Sequence, residues 1–238
     1  MYIVPMQSRR DEPSNSSPTT GHRDVNPKAA VPIMLTAFVL CLMIDNGFKF
    51  MTSPIAHDLH LSENTASLQA SLAGIVIGIG AMVYAALADS VSIRTLLIIG
   101  MVLVGVGSLI GFLFHGVWPM VLTGRLIQTS GLACAETLYV IYVTKHLPEK
   151  DQKTYLGFST SAFQLAMLLG VLTSGVVATY ISWTAMFLVA LILVLTIPVI
   201  VRTVPAEETT QAHVDVLGLF LIAVFSSSLI IVVGNFAW

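Results

Sequence analysis

The sequence predicts an all-α polytopic membrane protein, and three observations carry that prediction. The 238 residues are 55% hydrophobic and only 10% charged, where a soluble domain carries about 25% charged residues. Mean hydropathy is +0.86, and apolar runs of the roughly 20 residues needed to cross a bilayer recur along the chain. Nine of the 11 Lys and Arg residues lie in segments that antiparallel spans bring to one side. A formal net charge of −2 gives no footprint for nucleic acid. The two cysteines, Cys41 and Cys134, sit in apolar runs, as packing residues do, without the spacing of a disulfide framework or metal site.

Taken in order, residues 1–28 are polar, rich in Ser, Pro and charge, and without apolar period; they read as a disordered tail. The apolar run after them is too long for a signal peptide and lacks a small-residue cleavage site. Seven spans follow, near 29–53, 64–88, 93–114, 117–144, 154–179, 183–203 and 214–236. Residues 204–213 link the sixth span to the seventh, which occupies 214–238 with its flanks. Most connections are short, so neighbouring spans run antiparallel.

Basic residues set the orientation. Arg9, Arg10, Arg23 and Lys28 lie in the tail, Arg94 between the second and third spans, Lys145, Lys150 and Lys153 between the fourth and fifth, and Arg202 after the sixth. The opposite loops carry none, which places the N-terminus in the cytoplasm. Trp118, Trp183 and Trp238 fall at outer span ends, where an aromatic belt is expected.

Small residues recur every fourth position in two spans, as Ala66, Ala70, Gly74 and Gly78 and as Ala162, Ala166, Gly170, Ser174 and Ala178. Each set occupies one helix face and permits close backbone approach, either for static packing or for an interface that slides.

Ionisable groups inside spans cost about 2.5–3.5 kcal/mol each at a helix centre and are functional candidates by default. Away from the span ends four occur: Asp45, Lys49, Arg125 and Glu136. Asp45 and Lys49, in "LCLMIDNGFKFM", stand one turn apart with the acid first, the favourable order for an ion pair. That pair either makes insertion tolerable or places Asp45 in a polar cavity, where it exchanges a proton or meets a cationic group. Arg125, Gln128 and Glu136 share a face of the fourth span over about 16 Å, which suggests a wet internal surface. Enzyme chemistry finds no support. The histidines lie outside the predicted spans, and neither an HExxH metal motif nor a Gly-Lys phosphate loop is present.

Three stretches carry a family resemblance. "AALADSVSIRTLL" resembles the loop between the second and third helices of major facilitator transporters, with Leu87, Ala88, Asp89 and Arg94 matching and Ala85 and Ser92 in place of two glycines. "GRLIQTSG" resembles the fourth-helix pattern R-x-x-Q-G-x-G through Arg125, Gln128 and Gly131. "LLGVLTSGVVATYISW" occupies the place of the fifth-helix antiporter motif; Gly170 and Gly175 match, Ser174 replaces a glycine and Val171 a proline. Together with "IDNGFKF" and "DQKTYLGFSTS", the chain from about residue 29 onward resembles tetracycline-efflux antiporters of the fourteen-helix branch.

The resemblance implies a major facilitator-type six-helix N-terminal bundle over 29–203, plus a seventh transmembrane helix, in a multi-pass protein of the bacterial plasma membrane. It implies export of tetracycline-like and other amphiphilic drugs in exchange for protons, without a cofactor or metal. Asp89, Arg94 and Leu87 would belong to a cytoplasmic gate. Arg125, Asp45, Lys49, Gln128 and Glu136 would serve proton coupling and the cavity. Such a transporter needs a second bundle, so the chain reads as the N-terminal portion with a missing C-terminal half as its partner. Two alternatives stay open: an exporter of another cargo, such as fatty acids or a siderophore, and a truncated, non-transporting membrane remnant.

Overall fold

The structure, a computed structural model, describes residues 27–205. The tail before it, the end of the linker and the seventh span lie outside the described residues. Eight α-helices are present among them: α1 (Val31–Lys49), α2 (Thr52–Asp58), α3 (Glu63–Leu87), α4 (Ile93–Leu113), α5 (Trp118–His146), α6 (Glu149–Tyr180), α7 (Ala185–Leu191) and α8 (Ile197–Thr203). A 3-10 segment, Ile192–Thr196, joins α7 to α8. Among the described residues six segments are long and apolar enough to cross a bilayer: α1, α3, α4, α5, α6 and the α7–α8 run.

Local chemistry fixes most boundaries. Pro32 and Pro119 occupy first-turn positions of α1 and α5, where a missing N–H costs nothing. Ser62 and Ser92 cap α3 and α4 by accepting the amide hydrogens of Thr65 and Thr95 at 3.1 and 3.3 Å. Ser92, which replaces a motif glycine, therefore has a structural use of its own. Glu149 and Asp151 lie in the first turn of α6, where acids complement the helix dipole.

Two boundaries differ from the sequence reading. The first span ends at Lys49 and a turn leads into the separate short helix α2, so residues 50–53 are not part of it. The predicted loop between the fourth and fifth spans is almost wholly helical; only Leu147 and Pro148 separate α5 from α6. At 32 residues α6 is about 48 Å long, longer than a hydrocarbon core of about 30 Å. The sixth span is interrupted because Pro198 lacks an amide hydrogen and its ring crowds the carbonyl of residue 194.

Close helix pairs are built on glycine. A Cβ on Gly107 of α4 would run into the backbone of Gly124 and Gln128 on α5, and one on Gly131 would meet the backbone of Gly100 and Val104. On the α1–α6 seam a Cβ on Gly170 would lie 2.9 Å from both the Asn46 Cβ and the Met43 carbonyl oxygen. Ala162, Ala166, Gly170 and Ser174 are all buried, so this small-residue stripe packs, while Ala178 at its end is exposed. The α3 stripe behaves otherwise: Ala66 is buried, but Gly74 and Gly78 face open space among the described residues. Exposed Ile99, Val102, Val106, Leu109 and Leu113 make an outward apolar stripe on α4, as expected where the solvent is lipid.

Polar pairs mark the two ends of the bundle. At one end Lys28 meets Asp151 at 2.7 Å, and Lys145 meets Asp89 at 2.7 Å. Asp151 accepts a hydrogen bond from Lys28 and holds that ammonium above its ordinary pKa. At the other end the Trp183 indole donates to Asp58 at 2.9 Å. Trp183 is buried against Phe187, so it ties α2 to the α6–α7 connection and is not the interfacial belt residue expected from its position.

Candidate functional site: a buried arginine network

Arg125, in the second turn of α5, is 1% exposed and among the largest fully buried side chains. A guanidinium stays charged, so its burial requires partners, and three helices, α1, α3 and α5, supply them. Nη2 donates to Asp45 Oδ1 of α1 at 2.5 Å. Nη1 donates to Gln128 Oε1 at 3.0 Å and to Thr129 Oγ1 at 2.6 Å, both on α5. Nε points to Gln69 Oε1 of α3 at 3.4 Å. The guanidinium carbon also lies 4.5 Å from the Phe48 ring centroid, a cation–π contact.

Around this centre each polar group is held by another. Gln128 Nε2 donates to Ser108 Oγ of α4 at 2.9 Å, and Ser108 donates to the Val104 carbonyl at 2.6 Å. Gln69 Nε2 donates to the Phe48 carbonyl at 2.8 Å. Asp45 is also 1% exposed, and its second oxygen faces Lys49 Nζ at 2.9 Å. The expected one-turn pair thus forms, within a larger assembly. Lys49 is 45% exposed along its side chain and donates to Asn46 Oδ1 at 3.2 Å. One buried carboxylate therefore sits between a sequestered cation and one that reaches the surface.

Other candidate residues fall in separate places. Glu136 shares the angular face of Arg125 but is exposed. The wall around α5 changes along its axis: α1, α3 and α4 close over Arg125, whereas clefts flank Glu136. Gly170 and Ser174 are buried on the α1–α6 seam and Gly175 is exposed with open space around it. Asp89 pairs with Lys145, not with Arg94, and Arg94 has no ion-pair partner among the described residues. Lys145 also donates to the Ala88 carbonyl at 3.0 Å, at the end of α3. Leu87 packs against the core.

Sequence reasoning missed Gln69, Thr129, Ser108 and Phe48. Uncharged polar groups carry little insertion cost, so they raise no flag within a span. Thr129 alone offered a signal, one turn after Arg125 on the same face.

These features define a multi-pass helical membrane protein with a buried ion pair bridging α1 and α5. The Major Facilitator Superfamily model matches residues 33–238, and the chain belongs to that superfamily. Among solved structures the bundle is similar to the superfamily's proton:xylose symporter XylE bound to 6-bromo-6-deoxy-D-glucose. The TM-score is 0.62 and the sequence identity 17%, over 76% of this chain and 45% of the symporter. At that identity the likeness is one of fold, and this chain spans less than half of the symporter's length.

Proposed function

We propose that this chain works in proton-coupled efflux of tetracycline-like and other amphiphilic compounds across a bacterial cell membrane, with its N-terminus cytoplasmic and a second bundle as partner. The observation that carries the reading is the Asp45 carboxylate held between Arg125 and Lys49. A proton delivered to Asp45 removes its charge, while Arg125 keeps its own. The strongest link between α1 and α5 then weakens, and Arg125 turns to its neutral acceptors on α3 and α5. Proton binding and helix arrangement become one equilibrium, which is what exchange transport requires. Lys49, half exposed, stands between Asp45 and the surface.

The Asp89–Lys145 pair fits a contact made and broken in each cycle. Exposed ion pairs are worth about 0–1 kcal/mol, little enough to release. Leu87 and Arg94 belong to the same cytoplasmic corner. The Gly170–Ser174 seam lets α6 lie directly on α1, next to Asp45.

Everted membrane vesicles from cells expressing the complete gene test the reading. An imposed pH gradient should drive tetracycline uptake with the natural residue, and Asp45→Asn should abolish it at equal protein content. Equal uptake by that variant would leave Asp45 a structural ion-pair partner only.

A further inference from the structure

Glu136 takes no part in the arginine network. It lies eleven residues beyond Arg125 on α5, about 16 Å along the axis, and forms no hydrogen bond or ion pair among the described residues. Two clefts meet at it. One, of 210 Å³, lies between α5 and α6 above the buried Phe38 and offers the ring of Phe163 with the polar tips of Ser159, Thr160 and Gln164. The other, of 350 Å³, lies between α3 and α5 and is apolar, lined by Ile77, Ala81, Ala133 and Ile141. Among the described residues neither is lined by Lys or Arg, so none of them compensates a carboxylate there. A carboxylate facing acyl chains is costly, which argues that this wall borders water or ligand.

We propose that Glu136 is a specificity-determining residue that binds the cationic group of lipophilic amines and onium ions, while their apolar bodies fill the flanking clefts. An anion is repelled by the same carboxylate. A neutral compound gains the apolar contact without the charge. The exposed Phe163 adds a ring that favours a cation, and small-ligand pockets of about 300–1,000 Å³ combine apolar walls with a few such polar groups. The inference takes its purpose from the transport reading, but the binding it asserts is measurable without transport.

The test is equilibrium binding of tetraphenylphosphonium to the protein in lipid nanodiscs, with empty nanodiscs as background and neutral triphenylphosphine oxide as companion probe. Glu136→Gln should weaken phosphonium binding roughly tenfold or more, the scale of one charge-assisted contact. The neutral probe should be unaffected, and Glu136→Asp, which keeps the charge, should retain most of the affinity. Three results would overturn the assignment: unchanged phosphonium affinity in the Gln variant, a parallel loss for the neutral probe, or no saturable phosphonium binding by the natural protein. None of these bears on Asp45-dependent uptake, so the two readings fail separately.

Discussion

Asp45→Asn and Arg125→Gln each remove one half of the same ion pair, yet they strand different groups. Without the acid, Arg125 remains 1% exposed and charged, with the neutral oxygens of Gln69, Gln128 and Thr129, the Phe48 ring and the new amide around it but no anion. Without the arginine, Asp45 keeps Lys49 at 2.9 Å and has the further option of taking up a proton. An uncompensated buried charge costs about 3–5 kcal/mol, and hydrogen bonds lost to a charged group cost about 1.5–3 kcal/mol. The Asn variant belongs in the first range and the Gln variant in the second. Cys41 and Cys134 provide the assay. They are the chain's only cysteines and are 1% and 0% exposed, so a thiol-reactive fluorophore stays dark until the bundle opens. At about 2–4 °C per kcal/mol, melting should drop on the order of 6–20 °C for Asp45→Asn and about 3–12 °C for Arg125→Gln. The double variant should lose less than the two singles combined, by more than the roughly 0.5 kcal/mol of independent sites. A Gln variant as damaged as the Asn variant, or strict additivity, would refute this account of the network.

Two further predictions use the same melting assay. Gly107→Ala should be severely destabilising, because its Cβ would meet backbone of α5, whereas Gly47→Ala should cost less, because it meets chiefly the flexible end of Met186; Gly175→Ala, with nothing nearby, should stay within about 0.5 kcal/mol. Asp89→Asn should lower stability by no more than about 1 kcal/mol, with an effect that shrinks at high salt and is absent in a Lys145→Met background, since Lys145 is the partner at 2.7 Å.

Hydropathy made the six described spans legible to within a few residues, because each crossing must be predominantly apolar. It could not see the turn after Lys49, since Phe50 and Met51 are as apolar as the residues before them. Asp45, Lys49 and Arg125 were legible one by one through the cost of placing charge in a membrane. Their assembly was not, because Asp45 and Arg125 are 80 residues apart and helical spacing links only neighbours. Glu136 shows the converse limit. Its helical angle matches that of Arg125, but burial depends on how other helices diverge along α5, and periodicity carries no such information.

The central claim is that Asp45 exchanges its proton against substrate. The most direct measurement adds tetracycline to the purified protein in weakly buffered detergent, at a pH low enough that Asp45 carries a proton before drug is added, and follows a pH-sensitive dye. Proton release with the natural residue, saturating with drug and absent in Asp45→Asn, is the predicted result. Drug binding with equal proton release in both proteins would contradict it.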